Sequence, residues 1–152
     1  MSEIHTEFLF TLHVEIGERH SVGLTPYVHR GIAHVTGGRF EGPGLAGSVL
    51  PGSGDWTLLS ANGGVRIDAR LTLRTDDGEL IYMAYQGLRG APPDIIERLN
   101  RNEEVDPSLY YLRIAPMFET GAAKYRWLND FIAVGSGRRV PGGIRYSVHL
   151  VL

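Results

Sequence analysis

The segment VRIDARLTLRT, residues 65–75, alternates without a break. Val65, Ile67, Ala69, Leu71 and Leu73 fall on one parity, and Arg66, Asp68, Arg70, Thr72 and Arg74 on the other. A period of two is the repeat of a pleated strand with one buried face, and a helix does not satisfy it. The same alternation runs from Ile4 to Val14, where Ile4, Phe8, Phe10, Leu12 and Val14 oppose His5, Glu7, Thr11, His13 and Glu15. It returns in the closing IRYSVHLVL, where Ile144, Tyr146, Val148, Leu150 and Leu152 share a face. Further strands are expected around Gly31–Thr36, Trp56–Ala61, Tyr110–Ile114 and Trp127–Val134, with turns at Asn62-Gly63-Gly64 and over Gly135–Gly143. One segment alone has helical spacing: PPDIIERLNRN, residues 92–102, with apolar positions 95, 96 and 99 behind a proline and aspartate start. Strands in this excess, with one short helix, predict an all-β antiparallel barrel or sandwich.

The hairpin after Thr75 fixes a register. If Asp76-Asp77-Gly78 is a three-residue loop closed by glycine in the left-handed region, Leu73 faces Ile81, Leu71 faces Met83 and Ala69 faces Tyr85. A two-residue loop would set Leu73 against Tyr82 and mix the two faces, which a half-buried sheet does not tolerate. On the opposite face the favoured register pairs Asp68 with Gln86, Arg70 with Ala84 and Thr72 with Tyr82.

A chain of 152 residues that is 43% hydrophobic suffices for one domain, expected over residues 1–152. Fifteen basic and seventeen acidic residues give a formal charge of −2, which offers no electrostatic footprint for nucleic acid or an anionic membrane. Without cysteine there are no disulfides, thiolate metal sites or thiol nucleophiles, and a cytoplasmic location is expected. The start MSEIHTEFLFTLHVEIGERH lacks the basic start and unbroken apolar run of a signal peptide, and no run is long and apolar enough for a membrane helix.

Glycine is abundant, 20 of 152 residues, and it produces a misleading motif. GPGLAG, residues 42–47, satisfies G-x-G-x-x-G, and Asp68 stands at the distance where a dinucleotide fold places its ribose acid. The residues that follow, SVLPGSGDW, contain Pro51, Gly52 and Gly54, which no helix amino terminus survives. The run instead predicts a glycine-rich loop and a short strand.

GGRFEGPGLAGSVLPGSGDW, DARLTLRTDDGELIYMAYQG, YYLRIAPMFETG and KYRWLNDFIAVGSGRR together resemble the bacterial and fungal family known as domain of unknown function 3237, from about Gly31 to the carboxyl terminus. The resemblance implies a closed antiparallel β-barrel, similar in outline to lipocalin and allene-oxide-cyclase-like barrels, and a homodimer. It also implies cofactor-free ring-closing chemistry of the kind attributed to fungal members. Two positions depart from the family pattern: Met117 replaces a polar or basic residue, and Ala122 replaces an acidic one.

Asp68 and Arg70 lie two apart on one strand face, about 7 Å apart along the backbone, so the guanidinium reaches the carboxylate. As a solvated ion pair they would be unremarkable on an outer face. The family pattern keeps both residues, which implies that the charged row looks into the interior, with Asp68 as base and Arg70 binding an anionic ligand oxygen. Composition and alternation leave open which face is inside. Asp55 beside Trp56 is a candidate acid if apolar surroundings raise its pKa, or else a turn cap beside a packed indole. Tyr111 and Arg113 share a face and offer a phenol and a guanidinium to a developing oxyanion, with Tyr82 and Gln86 as further substrate contacts. Structural roles are expected for Glu119, Trp127 and Asn129. No two of the six histidines stand two apart, and His29 and His34 fall on opposite faces, so no metal and no other cofactor is expected.

Two functions fit. One is an acid/base enzyme of isomerase, cyclase or lyase type acting on a small aromatic or polyketide-like molecule in the barrel lumen. The other is a non-catalytic carrier or sensor of a lipophilic ligand.

Overall fold

The structure, a computed structural model, describes residues 2–152. Its strands are β1 (Thr6–Leu24), β2 (His29–Glu41), β3 (Ala46–Val49), β4 (Ser53–Leu59), β5 (Val65–Thr75), β6 (Leu80–Gly90), β7 (Tyr111–Glu119), β8 (Ala133–Val140) and β9 (Gly143–Val151). All nine join one antiparallel sheet. From β1 the pairing passes through β9, β8, β7, β6 and β5 to β3 and β4, then to β2, and β2 pairs back onto β1. The result is a barrel-like ring. β3 and β4 share one place in it, end to end between β2 and β5: Arg39 to Glu41 pair with β3, and His29 to Val35 with β4. The corner between them turns at Pro51-Gly52, where Ser53 Oγ accepts from the Thr72 amide at 3.1 Å and so replaces a missing ladder bond.

The β5–β6 hairpin has the expected register at every position, with Leu73 opposite Ile81, Leu71 opposite Met83, Ala69 opposite Tyr85 and Asp68 opposite Gln86. Gly78 closes the turn at φ 93°, the left-handed conformation that the loop requires. The GPGLAG segment is the expected loop followed by the short strand β3.

Three expectations fail for identifiable reasons. The alternation of β1 is broken by a bulge: Phe8 pairs with His149 and Phe10 with Val148, so Leu9 is an extra residue and turns inward while Phe8 turns out. Ile4 lies outside the strand and is exposed. Trp127–Val134 is not one strand, because residues 123–130 form a 3-10 segment and β8 begins at Ala133. Gly135–Gly143 is not a turn: β8 runs to Val140, and only Pro141-Gly142 separates it from β9.

The apolar parity of each strand fills the ring. At one end Phe10 meets Phe40 and Phe118 at ring-centre distances of 5.3 and 5.9 Å, and Leu12, Leu71 and Leu73 are fully buried around them. At the other end lies α1 (Pro93–Asn100), which buries Ile95, Ile96 and Leu99. Arg139 of β8 donates to the Leu99 carbonyl at 2.6 Å and so ties the carboxyl end of the helix to the wall, the end that favours a cation. Between β7 and β8 the ladder is thin, with Arg113 opposite Ser136, Ile114 opposite Gly135 and an isolated bridge from Met117 to Ile132. Pro116 sits in that gap, where it has no N–H to donate, while its pairing with β6 is intact.

Gly137 gives β8 its close approach to the interior. A Cβ there would stand 2.5 Å from Cε1 of Tyr146, whose ring is fully buried. Gly137→Ala is expected to destabilise the fold by about 1–3 kcal/mol, read as a lowered urea midpoint at unchanged slope.

Candidate functional site

Asp55 is the carboxylate that the ring turns inward. Its partners across the ladder, Ala33 on β2 and Ala69 on β5, are 6% and 1% exposed, which places all three on the interior face. The β4–β5 ladder pairs Gly54 with Arg70 and Asp55 with Ala69, then resumes only at Leu58 and Arg66. In the gap Asp55 Oδ1 accepts the Asp68 amide N–H at 3.0 Å, so a side chain stands in for a backbone carbonyl. Burial raises the Asp55 pKa to about 6. The Asp68 hydrogen bond pulls it back, the Asp68 charge raises it and Arg19 lowers it.

Two phenols back this carboxyl. Tyr85 on β6 and Tyr146 on β9 lie edge to face at 5.8 Å, and both are buried. Burial holds both above the usual phenol range; the Tyr146 phenol adds to this for Tyr85, and the negative charge of Asp55 adds to it for both. They remain protonated donors at neutral pH.

A cavity of about 470 Å³ opens at the end of the ring that α1 covers. Ile67, Leu112, Ile144 and Leu99 give it apolar walls; Asp55, Arg19, Arg89 and Arg139 give it charge. Arg139 also donates to Asn102 Oδ1 at 2.8 Å, and its backbone N–H donates to the Tyr110 hydroxyl at 2.9 Å. Burial holds Arg89 and Arg139 below the usual arginine value, and Arg19 lowers both further; Arg139 does the same to Arg89. His29 reaches the rim and shares a 2.7 Å hydrogen bond with Ser21, while His34 is exposed on the other face of β2. Among the described residues no group of three or more His, Cys, Asp or Glu side chains gathers as a metal site.

The charged row of β5 does not look into this cavity, which corrects the expected geometry. Arg66, Arg70 and Arg74 are exposed and Asp68 is half-buried, whereas Ile67, Ala69, Leu71 and Leu73 are buried. The physical reason is that a ring this size gains more by enclosing the aliphatic parity than by desolvating a row of ions. Trp56 follows the row outward, since it neighbours Asp55 on a strand, and Arg70 lies over its ring at 5.7 Å. The acid and the indole therefore do not share an environment. Tyr82, Gln86, Tyr111 and Arg113 are also on the exterior, with Arg113 over the Tyr111 ring at 5.0 Å. A second, more open depression of about 550 Å³ runs over the outer surface beside Leu58, Leu88 and Tyr111. Asn129 clasps Thr120, accepting from its amide at 2.9 Å and donating to its carbonyl at 3.0 Å.

Sequence reasoning missed Tyr85, Tyr146, Arg19, Arg89 and Arg139. Arg89 was visible in principle, because it continues the parity of Ile81, Met83 and Tyr85 and is a cation in an apolar column. Arg139 was hidden by reading its segment as a turn, and Arg19 by the register shifts of β1 after Glu15.

Fold and site define a class: a ring-shaped antiparallel β protein, filled by aromatic and aliphatic side chains at one end and hollow, with an inward-facing acid and three guanidiniums, at the other. The chain belongs to the family described as protein of unknown function (DUF3237), whose model matches residues 4–151. It is 35% identical over 149 residues to a UPF0311 protein of Rhodopseudomonas palustris, covering 98% of this chain and 97% of that one. A crystal structure of a β-barrel-like protein from Acinetobacter baumannii superposes with a TM-score of 0.88 at 34% identity, covering 100% of this chain and 98% of that one. A more distant relative is phnH, a hydroalkoxylation enzyme of Penicillium herquei, 27% identical over 130 residues and covering 86% of this chain and 72% of the enzyme.

The Asp55 carboxyl makes a stability prediction with a definite sign. Its pKa rises from 3.8 to about 6 on folding, so between these values the folded chain keeps a proton that the unfolded chain has released. Stability therefore falls as pH rises through this window and carries a cost of up to about 3 kcal/mol above it. Asp55→Asn keeps the acceptor for the Asp68 amide and cannot ionise. It is expected to be more stable than the parent at pH 8 and equal to it near pH 4, measured by urea unfolding at both pH values.

Proposed function

We propose that the protein is an enzyme that moves protons on a small molecule held in the interior cavity, with Asp55 as the acid/base group. The observation that carries this reading is a carboxyl with a pKa of about 6 turned into a cavity of about 470 Å³. Such a group takes and returns a proton near neutral pH at comparable cost, which is what an isomerisation, cyclisation or elimination requires of one residue. The distant relation to a hydroalkoxylation enzyme supports a reaction of this kind, in which a hydroxyl adds across a carbon–carbon double bond and the proton leaves oxygen and reaches carbon.

On this reading the ring is a closed barrel of lipocalin-like outline, and the substrate is an aromatic or polyketide-like molecule with its body against Ile67, Leu112 and Ile144. Asp55 draws the proton from the nucleophilic hydroxyl or an acidic C–H and hands it on. The buried Tyr85 and Tyr146 phenols keep the surroundings of that carboxyl dry and neutral, and the guanidiniums at the mouth offset negative charge that grows on substrate oxygen. Asp68 and Arg70, on the outer face, stand outside this chemistry.

The test is turnover of a panel of hydroxyl-bearing alkenes and enolisable aromatic ketones, followed by product analysis and by deuterium uptake from D2O. Asp55→Asn is expected to lower the rate by about 10²- to 10⁴-fold, with the fold intact by circular dichroism. The parent rate is expected to rise with pH through about 6, and Asp68→Asn to leave it unchanged. Tight binding with neither conversion nor deuterium uptake would instead favour a carrier.

A further inference from the structure

Three arginines of this chain line one cavity, and their surroundings differ from those of the outer surface. Outside, Arg39 makes a two-pronged contact with Asp76 at 2.9 and 2.8 Å, Arg98 and Arg101 reach Glu103, and Arg66, Arg70 and Arg74 stand exposed, where water solvates them. At the cavity Arg89 and Arg139 are half-buried and Arg19 is exposed at the rim. Among the described residues, Arg19, Arg89 and Arg139 make no ion pair, although they come from three different strands and meet at one opening. Asp55 is the one acidic side chain in the cavity wall. A chain with a formal charge of −2 thus concentrates an excess of positive charge around the opening of its cavity.

The individual contacts sharpen this. Nε of Arg89 is buried without a hydrogen-bond partner. Arg139 spends its donors on neutral oxygens, the Leu99 carbonyl and Asn102 Oδ1, contacts that fix the plane of the guanidinium without neutralising it. Desolvating cations beside one another is unfavourable, and a fold retains such an arrangement when a bound anion relieves it. Guanidiniums match planar two-oxygen anions, to which they donate in parallel pairs. The apolar walls at Ile67, Leu112 and Ile144 exclude a bare inorganic ion as the guest that fills the rest of the space.

We propose that the mouth of the cavity is a carboxylate-binding site: a small, mainly apolar organic acid enters with its carboxylate at the Arg89 and Arg139 guanidiniums, Arg19 flanking them, and its hydrocarbon body directed inward toward Asp55. This rests on the cavity being the ligand site, as in the function proposed above, and adds the charge and polarity of the ligand. It also separates two roles that one acid cannot fill: the arginines hold the charged end, and Asp55 works on the far end.

The test compares benzoate, 2-naphthoate and indole-3-carboxylate with their carboxamides, which keep the shape and lose the charge, by titration calorimetry and thermal shift on the whole chain. At least one acid is expected to bind about tenfold or more tightly than its amide, a preference that shrinks as salt is raised. Arg89→Met should abolish the preference and Arg89→Lys should keep part of it. Asp68→Asn on the outer face should leave it intact. If Arg89→Met does not fold, the acid and amide comparison in the parent and in Arg139→Met decides. Amides binding as tightly as acids, no acid binding at all, or a preference that survives both arginine substitutions would overturn the proposal. Acid-selective binding without turnover leaves this site standing and removes the acid/base reading; Asp55-dependent turnover of neutral molecules with no preference for acids does the opposite.

Discussion

The pairing of β2 with β1 is the constraint on which everything else depends. It closes the ring, and a closed ring has no edge strands: each strand is flanked on both sides, and each residue must point either in or out. Once the interior is assigned to the aliphatic parity of β5, the neighbouring ladders propagate the choice around the wall. Ala69 sets Tyr85 inward on β6 and Asp55 inward on β4, and Gly137 of β8 sets Tyr146 inward on β9. The inward-facing acid is thus a consequence of register. It is carried inside by the two alanines that it pairs with.

That propagation also explains what could be read from the amino-acid sequence. The hairpin of β5 and β6 was legible down to individual cross-strand partners, because a mismatch would have put charge into the core, and the choice between loop lengths had one answer. Asp55 was legible as a candidate, but its neighbour Trp56 was a false companion, since consecutive strand residues face away from each other. The charged row was placed on the wrong side for a related reason: alternation defines two faces, and naming the inner one needs the closure of the ring, which is not local. Leu9 escaped because of the bulge between Phe8 and Phe10, and the far half of β1 because the register shifts again at several places after Glu15. Residues 123–140 escaped because glycine in β8 looks like a turn until Ile114 and Tyr146 are seen to occupy the space above it.

The Asp55 carboxyl has two duties that pull in opposite directions. By accepting the Asp68 amide it repairs a gap in the wall, and by being desolvated there it weakens the fold whenever it is ionised. A neutral acceptor would do the first without the second. On the proposed reading, the carboxyl at this position serves as a proton donor and acceptor inside the ring, a function set against the interest of stability. Arg89 and Arg139, half-buried on the cavity wall without an ion pair, stand where an aliphatic residue would have packed more cheaply.

The thin ladder at Pro116 distributes the mechanical load unevenly around the circumference. Seven of the eight seams in the wall are knitted along much of their length, but the seam between β7 and β8 is stitched at a few points, with the 3-10 segment packed beside it. Fewer hydrogen bonds hold that seam than any other, so it is where the ring yields most cheaply. Asp55, on the far side of the circumference, keeps Ala33 and Ala69 as its ladder partners whatever happens there.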